Sequence, residues 1–331
     1  MDLRRPLVRR TDVRYRLSLI AAGCALLLVW LAGGALAGGT RVAVVAVAGD
    51  VWVTTGFDVV KLDASTGRIK RRTRTRYPFP IEIGVSDGNV WVSSVENGFV
   101  SGALTRIPFG AGRVTQPLVF PSRPLLALAV GSGMTWALVG PWKSLRLAAV
   151  DQATGRATLR PIRRDIGWIA ADNTGDTPGL FGVTGKGQAV RIGGNGGSDW
   201  VARTDAIVNP PAVGLGSVWV AGRTALYRLN ARNGQLQARI PIAGTAAELT
   251  IGGGYVWLSS FRNTKGRETY ELFKIDPRAA RVVRRAKLAG PVGGISYGSG
   301  ALWLGRAAPS VSVIRIDPRT LRGHLIAKNL G

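Results

Sequence analysis

From residue 41 onward the chain is built of short runs of alternating apolar and polar residues, each closed by a cluster of Gly, Asp, Asn or Pro. Alternation bounded in this way predicts half-buried β-strands. One run keeps returning: "GDVWVTT" at 49–55, "DGNVWVSS" at 87–94, "LGSVWVAG" at 215–222, "GGYVWLSS" at 253–260 and "SGALWLGR" at 299–306. Its aromatics Trp52, Trp91, Trp136, Trp219, Trp257 and Trp303 stand 39, 45, 83, 38 and 46 residues apart. Phe181, in "PGLFGVTGKGQAVRI" (178–192), divides the long interval into 45 and 38. Seven phrases spaced by about 42 residues, all strand-like, predict a repeat architecture of the propeller type.

Each repeat reads as four strands. In the seventh, "GGISYGSG" precedes "ALWLGR", then come "VSVIRIDP" and "RGHLIAKNL". The third run closes on a turn: "KLDASTGR" (61–68), "AVDQATGR" (149–156), "RLNARNGQ" (228–235), "KIDPRAAR" (274–281), "RIDPRTLR" (315–322). Asp or Asn at the turn start caps backbone N–H groups, so these acids read as hairpin chemistry rather than metal ligands. A four-stranded sheet per repeat, arranged radially, is a blade. The fold class is therefore all-β, a seven-bladed β-propeller over residues 41–331, with one Trp or Phe per blade in the core.

The phrase "VGGISYGSGALWL" (292–304) and the following "RIDPRT" resemble the YVTN and virginiamycin B lyase-like group of bacterial seven-bladed propellers. The resemblance runs over 41–331 and implies the fold. The lyase members use a histidine general base with acid-bound magnesium. The lone His324 lies in the last expected strand, with no acid beside it in sequence, so no catalytic residue is carried over.

Composition adds the N-terminal segment and the charge. Residues 2–16 hold six Arg and two Asp, and residues 17–37 are 21 in a row without a charge. About 20 apolar residues span the hydrocarbon core, and the Arg-rich side stays cytoplasmic. The expected organisation is a basic cytoplasmic tail (1–16), a single-pass anchor or signal segment (17–37) and an extracytoplasmic propeller. "ALA" at 35–37 also fits cleavage near Ala37, which would make the product secreted. Cys24 is the only cysteine and His324 the only histidine, which removes intrachain disulfides, thiolate metal sites and most histidine chemistry. The 44 basic residues against 19 acidic give a formal +25, which attracts anions such as head groups and wall polymers. Basic outer runs such as "RIKRRTRTR" (68–76) also suit edge protection.

Two constellations are candidates for function. The connections between second and third strands read longest at 95–104, 139–147 and 261–271, all on one face of the disc. They present Trp142, Lys143, Phe261, Arg262, Lys265 and Arg267 as a binding set. Nine residues before the phrase aromatic stand Glu82, Asp172 and Glu248, which would approach the central channel from innermost strands. The expectation is a monomeric binding module without cofactor, meeting a protein or an anionic surface polymer and not nucleic acid. The alternative is a lyase or hydrolase working through the channel acids with Ca²⁺ or Mg²⁺.

Overall fold

The computed structural model describes residues 42–331 except 76, 78, 97–99, 142–143, 163–165, 173–176, 195 and 206–208. The expected N-terminal anchor, Trp142 and Lys143 lie outside the described residues. Among the described residues no helix is long and apolar enough to cross a membrane.

The strands form seven four-stranded antiparallel sheets, each made of four consecutive strands. Blade 1 is Val44–Val47, Asp50–Thr54, Asp58–Asp63 and Ile69–Arg74. The first strands of the other six blades begin at Pro80, Leu125, Ile166, Ala212, Thr245 and Gly294. These first strands touch one another in a closed circuit, the last returning to the first. The sequence repeats and the blades are therefore in phase, and no strand is lent across the seam between blades 7 and 1.

The phrase aromatic lies on the second strand of every blade. Trp52, Phe181, Trp219, Trp257 and Trp303 are fully buried, Trp91 nearly so, and Trp136 is half-buried. Each buried indole removes about 200 Å² from water, at most about 5 kcal/mol. The phrase recurs because every blade presents the same wedge to its neighbour.

At the seam between blades 7 and 1 the two first strands meet at a glycine. Val42, Trp303, Val313 and Leu330 share one apolar cluster, so both ends of the described chain enter the same core. A Cβ on Gly298 would stand 2.1 Å from the Ala46 carbonyl oxygen, so these two first strands approach as closely as they do because position 298 has no side chain. Ala46 N donates to Ser296 Oγ at 3.1 Å across the same seam. Arg72 donates to the Leu330 carbonyl at 2.9 Å and pairs with Asp58 at 3.0 Å.

Candidate binding face and channel acids

The disc has two ends. One holds the hairpins between first and second strands and the turns between third and fourth. The other holds the second-to-third connections, the crossings between blades, and the entry of the chain at Val42 into blade 1. The candidate binding set was expected at the second end.

There blade 6 differs from the sequence expectation. Residues 261–271 are not a loop: the second strand runs Tyr255–Thr264 and the third Arg267–Asp276, joined by the two-residue turn Lys265–Gly266. Both turn residues have positive φ (51° and 80°), which is what a tight hairpin of matching twist requires. Thr245, the first residue of the innermost strand, pairs with Phe261, so the three residue pairs beyond it form a two-stranded ribbon standing about 10 Å clear of the sheet. Arg262, Lys265 and Arg267 are exposed on this ribbon, with Phe261 and Tyr270 paired and half-buried at its base. Burial first, and then the hydrogen bond that the phenol donates to Glu268, push the Tyr270 hydroxyl up to about 12.

The channel acids do not form one site. Glu82 pairs with Ser93 and Glu248 with Ser259, in each case two residues past the phrase Trp and beside a bulge. In both, the serine hydroxyl accepts the glutamate backbone N–H at 3.1 Å. The blade 4 residue at that level is Trp168, which pairs with Val183. Asp172 lies past the far end of its strand, Ile166–Ala171, and caps the Thr177 N–H at 2.6 Å. The count of nine residues misplaced it because the connection that follows in blade 4 is longer. Glu82 also reaches blade 3, accepting the Leu128 N–H at 2.5 Å on the innermost strand. This carboxylate covers an open backbone edge of the next blade. Among the described residues no three His, Cys, Asp or Glu side chains gather to hold a metal. His324 is exposed on the outermost strand of blade 7, opposite Arg315.

The turn acids cap as expected. Asp63 accepts Ser65 N and Thr66 N, Asp151 accepts Thr154 N, and Asp317 accepts Arg319 N and Thr320 N, all within 2.7–3.0 Å. The Lys70 ammonium lowers Asp63 furthest, while backbone N–H groups lower Asp151, Asp276 and Asp317.

A second set of cations escaped the sequence reading. In six of the seven blades the third-strand residue opposite the phrase aromatic is Lys or Arg: Lys61, Arg106, Arg191, Arg228, Lys274 and Arg315. Four of them donate to a backbone carbonyl in the third-to-fourth connection of the next blade. Lys61 reaches Phe109, Arg106 reaches Gln152, Arg228 reaches Pro277 and Lys274 reaches Pro318, at 2.7–2.9 Å. Each also lies over its own Trp, 5.3–5.9 Å from the ring centroid. Part of the surplus positive charge is thus spent stitching blade to blade.

This geometry defines the class of protein: a seven-bladed β-propeller of four-stranded blades. No family model and no curated protein matches the chain. Similar solved structures include dihydro-heme d1 dehydrogenase NirN in complex with DHE, at 13% identity and TM-score 0.59 over 88% of this chain and 66% of that one. The chain thus spans just under two thirds of that neighbour. The computationally designed Ika8 protein is similar at 13% identity and TM-score 0.58, over 84% of this chain and 98% of that one. The Neurospora crassa Pan2 WD40 domain is similar at 10% identity and TM-score 0.63, over 80% and 86%. An enzyme, a designed protein and a WD40 domain share one scaffold here, so these likenesses describe the fold alone.

Proposed function

We propose that this chain is a membrane-anchored, extracytoplasmic propeller that binds an anionic surface polymer rather than catalysing a reaction. The observation that supports this reading is the blade 6 ribbon, which raises Arg262, Lys265 and Arg267 clear of the sheet on a hydrogen-bonded hairpin. A rigid, cationic projection with aromatic residues at its base suits contact with a polyanion better than turnover of a small molecule. The acids argue in the same direction. Glu82 already engages a neighbouring strand, and Asp172 stands at the opposite end of its strand from the level of Glu82 and Glu248.

The test is co-sedimentation of residues 38–331 with isolated cell-wall polymer at low and high salt. Saturable binding that survives 1 M salt, where the Debye length is about 3 Å, and that is lost in the triple variant R262E/K265E/R267E supports the reading. Binding unchanged in that variant removes the ribbon from the function. Activity abolished by Glu82→Gln or Glu248→Gln in a folded protein would favour the enzyme alternative.

A further inference from the structure

On the same end of the disc as Val42, blades 1 and 2 present a second, separate feature. Phe57 is 48% exposed and Phe79 38%, the two aromatic side chains among the described residues that are large, apolar and exposed. Their ring centroids are 5.7 Å apart, and the Arg74 guanidinium lies 5.5 Å from the Phe57 ring. Val100, 56% exposed, lies on the blade 2 connection at this end.

The pair is held firmly. The Phe57 carbonyl accepts both the backbone N–H and the hydroxyl of Thr75. Phe79 N donates to the Gly56 carbonyl, and the Phe79 carbonyl accepts from Val95 N. Phe79 itself sits at φ 60°, a region that costs a bulky residue backbone energy. Two phenyl rings are therefore displayed outward on a hydrogen-bonded platform, with a cation beside them.

We infer that Phe57, Phe79 and Arg74 form a contact with an anionic lipid surface, the rings entering the head-group boundary and the guanidinium meeting lipid phosphate. Apolar rings paired with cations are what a protein places at that boundary. The occupant follows from connectivity. The chain enters blade 1 at this end, and residues 38–41 separate the uncharged run 17–37 from Val42. Four residues reach at most about 14 Å, and the anchor proposed above joins the disc at this end rather than the other. The inference rests on the anchored reading proposed above, but it assigns a surface that the ribbon does not include.

Gly56 offers a reporter site, because a Cβ there would meet nothing within 4 Å and its φ is not positive. Gly110 offers a control at the opposite end on the same grounds. The full-length chain carrying Cys24→Ser and either Gly56→Cys or Gly110→Cys is spin-labelled and reconstituted in vesicles of neutral phosphatidylcholine or of phosphatidylcholine with phosphatidylglycerol. Accessibility to a polar nickel relaxant is read by power saturation, and carbonate extraction is run in parallel. The expected result is a several-fold drop in nickel accessibility at position 56 in the anionic vesicles, none at 110, and recovery in F57S/F79S/R74E. A label at 56 as accessible in anionic vesicles as the label at 110 overturns the inference, even where carbonate resistance upholds the anchor. Carbonate-extractable protein overturns the anchor; a label at 56 that is still shielded on anionic vesicles then leaves the lipid contact standing by itself.

Discussion

The Lys274 ammonium lies 3.8 Å from the centre of the Tyr255 ring and donates across the blade boundary to the Pro318 carbonyl at 2.9 Å. Burial first, and then the nearby Arg284, lower its pKa. One residue thus joins the aromatic core of blade 6 to the turn of blade 7. A hydrogen bond from a charged donor contributes about 1.5–3 kcal/mol, and the cost of burying the charge offsets part of that. Lys274→Met, which keeps the stem, should therefore destabilise by about 1–2 kcal/mol in urea unfolding. Arg228→Met at the equivalent place should cost a similar amount, and the double variant should approach the sum. No loss in either variant would mean the stitch is electrostatically neutral.

The phrase tryptophans are expected to act as wedges. Trp219→Ala should lose about 3–5 kcal/mol, because a fully buried indole leaves a cavity between two blades. Trp136→Ala, at the half-buried position, should lose less. Equal losses at the two positions in equilibrium unfolding would contradict the packing account.

The seam is sensitive to a single methyl group. In Gly298→Ala the new carbon would collide with the Ala46 carbonyl rather than with a flexible side chain. The expected cost is about 1–3 kcal/mol. Hydrogen exchange should rise first in the innermost strands of blades 1 and 7. Gly110→Ala, where a Cβ meets nothing and φ is not positive, separates the general effect of an added methyl group from this collision.

Acid should loosen the turns. Asp63, Asp151, Asp276 and Asp317 have folded pKa values below their usual 3.8, so their stabilisation is complete above the unfolded value and is lost as pH falls through the folded one. Melting temperature should fall between about pH 5 and pH 2. Asp276→Asn keeps an acceptor for Arg278 N and Ala279 N but cannot titrate. Its melting curve should shift less over that range than that of the unmodified protein, and an identical shift would exclude Asp276 as a contributor.

Blade number, strand order and the buried aromatics were legible because one packing problem is solved seven times, and a repeated solution leaves a repeated phrase. What varies from blade to blade was not. "FRNTKGRETY" reads as a polar loop, yet its alternation around Lys-Gly is a hairpin whose residues simply have no core to face. The stitching cations stand two residues before the turn Asp or Asn in "KLD", "RLN" and "KID", a signal present in the quoted turns but masked by the abundance of Arg elsewhere. The exposure of Phe57 and Phe79 depends on how two connections meet in space, and no local pattern announces it.

The in-phase seam has a consequence for how the chain could be cut and rejoined. Val42 and Leu330 belong to one cluster, and every sheet is complete within its own stretch of sequence. Blade order is therefore a cycle with no privileged first member. A circular permutant of the propeller opened at the crossing between blades 5 and 6, with its present ends linked, would keep all seven sheets whole.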